Sequence, residues 1–148
     1  MKIRKICPAD AQDILAMMKV FYASEALLIH PSEEVLRRTL TDCLAEGPYL
    51  EGYVFEDGDK RAGYAMVAKS YSTEAGGLCI WIEDIYLSPE HRGKGAGSAF
   101  LDFMAQRYAG QAVRLRLEAE PENAHAMHVY QAAGFEVLGY TQLVKPLK

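Results

Sequence analysis

Ile85-Tyr86-Leu87-Ser88-Pro89-Glu90-His91-Arg92-Gly93-Lys94-Gly95-Ala96-Gly97-Ser98 is the most informative stretch of this chain. An apolar strand ends at Leu87, a tight turn follows, and glycines at alternate positions 93, 95 and 97 run into an amphipathic helix carrying Phe100, Leu101, Met104 and Tyr108. Glycine this dense is costly at a helix start unless something must come close to the backbone. The first N–H groups of a helix have no internal partner. With the helix dipole they form an anion site suited to a pyrophosphate, and Arg92 and Lys94 add positive charge beside it. A P-loop is excluded, because Lys94 is followed by Gly95 rather than Ser or Thr. The dinucleotide fingerprint fails too, since Ser98 stands where its third small residue belongs and no parallel βαβ unit opens the chain.

Working outward, Lys2 to Ile6 is a short strand, and Asp10 reads as the N-cap of a first helix with Ile14, Met17, Met18, Phe21 and Tyr22 on one face. Ser32 caps a second helix with a Leu36, Leu40, Leu44 stripe, ended by Gly47-Pro48. Leu50 to Glu56 and Ala62 to Lys69 form a hairpin about Asp57-Gly58, and Leu78 to Leu87 is a third long strand. A helix over Gly95 to Tyr108, a strand over Ala112 to Ala119, a helix over Asn123 to Ala133 and an extended segment from Phe135 complete the order β-α-α-β-β-β-α-β-α-β. The expected fold is one α/β domain over residues 1–148, with a mixed, mostly antiparallel sheet flanked by helices. Its strands before and after the third helix should be parallel neighbours.

Composition narrows the function classes. The chain has 148 residues, 50% hydrophobic and 24% charged, with net charge −4 and no basic face of the kind nucleic-acid binding needs. Cys7, Cys43 and Cys79 are odd in number, widely spaced and set among apolar residues, so they read as reduced core thiols. There is no CxxC pair, and His125 and His128, three apart on a helix, lack a third ligand; no metal is expected. No apolar stretch reaches the length of a signal peptide or a membrane span. A cytoplasmic protein without a membrane or nucleic-acid partner is the expectation.

Arg92-Gly93-Lys94-Gly95-Ala96-Gly97 resembles the R/Q-x-x-G-x-G/A signature of the GCN5-related N-acetyltransferase (GNAT) superfamily. Asn123, Ala126, Tyr130 and Gly134-Phe135 are similar to its second motif, and the element order agrees along the whole chain. The resemblance implies two central parallel strands that splay apart, with acetyl-coenzyme A wedged between them as co-substrate. It implies that Arg92, Gly93, Lys94, Gly95, Ala96, Gly97 and Ser98 hold the pyrophosphate. Backbone N–H groups of Ile85, Tyr86 and Leu87 would then align the pantetheine arm and hold the oxyanion. Dimers are frequent among members, so a homodimer is compatible with it.

Forming an amide from a thioester requires a neutral amine, a held oxyanion and a protonated leaving thiol. The resemblance puts Tyr130 beside the coenzyme sulfur as general acid; a phenol titrates near about 10 and a thiol near about 8.5, so the phenol stays protonated. The alternative for Tyr130 is an aromatic core residue. Asn123 either caps the fourth helix or touches the coenzyme. Trp81-Ile82-Glu83-Asp84-Ile85 sets two carboxylates on opposite faces of a strand, Glu83 sharing its face with Trp81, Ile85 and Leu87. Polyamine acetyltransferases of this superfamily have a similar Glu-Asp pair, which favours Glu83 as base, then Asp84, with a water chain as the alternative. Tyr22, Glu25 and His30 between the first helices, and Glu74 before the glutamate-bearing strand, are the candidate acceptor contacts. The expected reaction is transfer of acetyl from acetyl-CoA to a small amine or polyamine by direct attack in a ternary complex. The rivals are an acetyltransferase of peptide N-termini or protein lysines, a non-catalytic acyl-CoA-binding regulatory module, and an ATP site.

Overall fold

The computed structural model describes residues 1–147. Strands β1 (Lys2–Lys5), β2 (Leu50–Asp57), β3 (Lys60–Ser72), β4 (Gly77–Leu87) and β5 (Ala112–Leu117) form one five-stranded sheet in sequential order. All neighbours are antiparallel except β4 and β5, which are parallel. Helices α1 (Ala11–Tyr22) and α2 (Glu33–Leu44) cover one face, and α3 (Ala96–Arg107) and α4 (Ala124–Ala132) belong to the other.

β2 and β3 are buried on both faces, which explains their nearly unbroken apolar runs. Val54, Tyr64 and Met66 meet Ile14 and Met18 of α1 and Leu36 and Leu40 of α2. Tyr53, Phe55, Ala65 and Val67 meet Phe100, Leu101 and Met104 of α3. Ser32 caps α2 as expected, its hydroxyl accepting the Val35 N–H at 3.3 Å. No helix is long and apolar enough to cross a membrane among the described residues.

Two expectations change. Asp10 does stand at the start of α1, but its side chain makes no capping bond to that helix. It is fully buried, where Arg4 grips it bidentately at 2.8 Å, Arg61 Nε donates at 2.6 Å and the Cys7 N–H donates at 2.8 Å. Two guanidinium groups outweigh one orphan helix N–H, so the carboxylate ties β1, β3 and the entry to α1 together. The second change lies at the other end of the chain. Among the described residues none beyond Phe135 is in a strand, and the segment runs outside β5 with Leu143 and Val144 exposed. A cleft of about 710 Å³ separates it from β5, too far for the ladder spacing of about 4.8 Å.

Candidate active site

The glycine turn is held from behind. His91 is buried, 2.7 Å from the Ser88 hydroxyl and 2.9 Å from Asp57 in the β2–β3 hairpin. Arg92 Nε donates to the Leu87 carbonyl at 2.9 Å, and its guanidinium lies 5.7 Å from the centre of the Tyr86 ring. Gly93 and Gly95 adopt φ of 75° and 83°, left-handed values that glycine takes without strain. Gly95 is the N-cap of α3, and the Ala99 N–H is the first to find a helical acceptor, Gly95 O at 2.9 Å. The N–H groups of Ala96, Gly97 and Ser98 are left for an outside anion. Gly97 has neither a positive φ nor any atom within 4 Å of an added Cβ. Nothing in the chain itself requires glycine there, and the surface over these N–H groups is open. These residues fit a pyrophosphate.

The strand before the turn is free on one side. The β4–β5 register ends at Ile82 with Leu117, whereas β4 continues paired with β3 as far as Leu87. The two parallel strands therefore part at Glu83, and alternate N–H groups of the Ile85–Leu87 segment face the gap. Ile85 and Leu87 are half-buried, and Tyr86 packs into the α1–α2 core.

The carboxylates depend on a β-bulge. Met66 pairs with Asp84 and Val67 with Ile82, so the register skips Glu83. Strand faces exchange at this point: Ile80 and Ile82 pack toward α3, while Asp84 and Tyr86 pack toward α1. The expected row of Trp81, Glu83, Ile85 and Leu87 on one face is thereby broken, because a bulge adds one residue to a period of two. Asp84 is 2% exposed and accepts hydrogen bonds from the Tyr22 hydroxyl and, at 2.9 Å, from the Tyr64 hydroxyl. Burial raises its pKa and the two phenols partly offset the rise. Glu83 reaches solvent as a residue, yet enough protein surrounds its carboxyl to matter. Lost hydration first, then the charges of Asp84 and Glu118, push its pKa above the ordinary range. Glu83 and Glu118 are the first residues past the last β4–β5 pair, one on each strand where the gap opens.

Tyr130, in the last turn of α4, is half-buried with its ring 6.3 Å from that of Phe135, and burial raises its pKa. It lines the cleft outside β5 together with Trp81, Leu117, Glu118 and Met127; Glu83, Asp84 and the glycine turn lie outside that wall. Asn123 caps α4, its side-chain oxygen accepting the Ala126 N–H at 3.1 Å.

The acceptor-side candidates divide. Tyr22 is joined to Asp84, and the exposed His30 has Nδ1 2.7 Å from the Tyr22 carbonyl oxygen. Glu25 is exposed in the α1–α2 loop. Glu74 is not brought to the mouth. It lies in the β3–β4 turn, held by Arg114 at 2.7 Å and by the Tyr140 hydroxyl at 3.0 Å, roughly 20 Å along β4 from Glu83. His125 and His128 are exposed, and no group of three metal-ligating side chains occurs among the described residues. Sequence reading missed Tyr64 and Glu118. A buried tyrosine paired across the ladder with Tyr86 carries no signal of its own, and Glu118 meets the gap only through the β4–β5 register.

The chain matches the Acetyltransferase (GNAT) family over residues 15–135. It is 33% identical over 147 residues to thialysine N-epsilon-acetyltransferase of Bos taurus, covering 92% of this chain and 84% of the relative. It is 44% identical over 103 residues to streptothricin acetyltransferase of Streptomyces lavendulae, covering 64% of this chain and 50% of that protein. The crystal structure of a possible acetyltransferase from Clostridium difficile 630 superposes with a TM-score of 0.84 at 21% identity, covering 99% of this chain and 97% of the other.

Proposed function

The chain belongs to the GNAT acetyltransferase family and is an acetyl-CoA-dependent N-acetyltransferase; from that premise we propose that its acceptor is a small primary amine bearing further positive charge. The observation that carries this reading is the acidic mouth. Glu83 and Glu118 flank the point where β4 and β5 part, and the buried Asp84 lies next along the strand, held by phenols rather than by a cation. Uncompensated acidic charge of this kind favours a cationic ligand and disfavours an anionic one. The relatives' names, thialysine and streptothricin acetyltransferases, agree with an amine acceptor.

Bound acetyl-CoA supplies an activated acyl group, its diphosphate received by the N–H groups of Ala96, Gly97 and Ser98. The residues of the chain do the rest. Glu83, directly or through water, accepts a proton from the acceptor ammonium, a task helped by its raised pKa. Free N–H groups of the Ile85–Leu87 edge hold the oxyanion that develops when the amine nitrogen attacks the carbonyl carbon. As the carbon–sulfur bond breaks, the Tyr130 hydroxyl gives its proton to the leaving thiolate, and the second proton lost by the amine nitrogen passes through water to restore the phenol. Asp84 fixes the Tyr22 hydroxyl, which accounts for a positioning part in the acceptor pocket. No cysteine need act as nucleophile.

Thiol release measured across a panel of amines tests the acceptor class. Di- and polyamines and thialysine-like amines should exceed neutral monoamines by at least tenfold in kcat/KM. Preference for a neutral amine or an uncharged peptide N-terminus would overturn the reading.

A further inference from the structure

One guanidinium on the acceptor side of the sheet is left without an anion. Ile80 and Ile82 of β4 pack toward α3, as do Leu115 and Leu117 of β5. Trp81 and Arg116 alternate with these residues and are register partners. They therefore project on the opposite face, the one that carries Asp84 and Tyr22. The Arg116 guanidinium lies 4.3 Å from the centre of the Trp81 ring. Among the described residues no carboxylate or carbonyl oxygen pairs with it. The carboxylate of Glu74 is already taken, held by Arg114 at 2.7 Å through one oxygen and by the Tyr140 hydroxyl at 3.0 Å through the other.

A cation held in this way is preorganised. Stacking on the indole fixes the plane of the guanidinium without using its N–H donors, and a free arginine fork matches a carboxylate with two parallel bonds. Its position relative to the acidic mouth sets the length of ligand that fits. Glu83 follows Trp81 by two residues on β4, and Glu118 follows Arg116 by two on β5. The acidic pair thus lies about 6.6 Å along the strands from the stacked pair. A chain of ornithine or lysine size spans that interval between its carboxylate and its terminal amine.

We infer that Arg116 selects acceptors that carry a carboxylate, so that the substrate is an α-amino acid whose side chain ends in the reacting amine. Arg116 on its Trp81 platform holds the carboxylate, the terminal amine reaches Glu83, and the α-ammonium faces Glu118. This rests on the cationic-amine reading above and narrows it. Two ammonium groups meet two acidic side chains, and the carboxylate meets the one spare cation. A polyamine brings a further ammonium to Arg116 and is repelled there.

Initial rates of thiol release with lysine and ornithine, each set against its decarboxylated counterpart, cadaverine or putrescine, test the assignment. The parent chain should favour each amino acid at least tenfold in kcat/KM. Arg116→Gln should lower that ratio at least tenfold, the loss residing in KM for the amino acid, while kcat/KM for the diamine rises because a like charge is gone. Arg116→Lys keeps the charge without the fork and should fall between the two. Trp81→Leu removes the platform and should raise KM for the amino acids. Arg116 holds no ion pair, so circular dichroism and the melting temperature of Arg116→Gln should match the parent. A parent that prefers the diamines, or a ratio that Arg116→Gln and Arg116→Lys both leave unmoved, overturns the inference while the cationic-amine reading stands. Neutral monoamines outpacing both series would overturn that reading and this inference with it.

Discussion

At the scale of single residues, the proposed mechanism divides the proton traffic between two side chains. Tyr130 has its pKa raised by burial alone, so its hydroxyl stays protonated across the physiological range, as the proposed donor must. Tyr130→Phe keeps the ring and removes the proton; kcat should fall by roughly 10²-fold or more, while acetyl-CoA affinity measured by calorimetry changes little. Glu83, as the proposed base, would work in the opposite sense, because it must be deprotonated to accept. Since its pKa is raised, activity should be lost on acidification at a pH above the usual glutamate range. Glu118→Gln removes one of the negative charges that raise it, so the acid limb of the kcat/KM profile should move to lower pH. A profile unmoved in Glu118→Gln would separate Glu83 from that limb.

At the scale of elements, the start of α3 offers a separation of folding from binding. Gly97 sits inside the first turn with ordinary helical geometry and open space around its missing Cβ. Gly97→Ala should therefore raise stability by about 0.5–1 kcal/mol through helix propensity, read as a higher melting temperature. The same methyl would obstruct an anion approaching the N–H groups, and affinity for coenzyme A should drop at least tenfold. Gly95 is different: at φ 83° an alanine is strained, and Gly95→Ala should cost about 1–2 kcal/mol. The bulge at Glu83 is the other decisive element. It reverses which β4 residues face α1, and so turns an apparent alternation into a buried Asp84 beside an accessible Glu83.

For the molecule as a whole, Asp10 is the tie between the first strand, the sheet interior and the helical layer. Asp10→Asn leaves Arg4 and Arg61 without their shared anion and should destabilise the fold by about 3 kcal/mol. Hydrogen bonds from Arg4 are the leading cause of a carboxyl held far below its ordinary range, ahead of the opposing effect of burial. The contribution is thus complete above the unfolded value of about 3.9 and fades as pH falls below it. Thermal melts should decline below about pH 4 in the parent chain, and less steeply in Asp10→Asn.

Much of the architecture was legible before any coordinates. The glycine turn, the capped second helix, the Asp57-Gly58 hairpin and the parallel β4–β5 pair all rest on signals confined to a few neighbouring residues, where local sterics and orphan N–H groups dominate. The carboxylate site was legible only in composition. Which of Glu83 and Asp84 is buried depends on a bulge set by β3, and Asp84 finds its phenols at positions 22 and 64, far away in the chain. Asp10 departed from its capping role, Glu74 from the mouth and the terminal segment from the sheet for one reason. Each finds a stronger partner, or lacks one, at a distance no short-range pattern encodes. Sequence alone determined the local chemistry of the turn; tertiary packing determined which side chains share a cavity, because register and burial are properties of strands brought together.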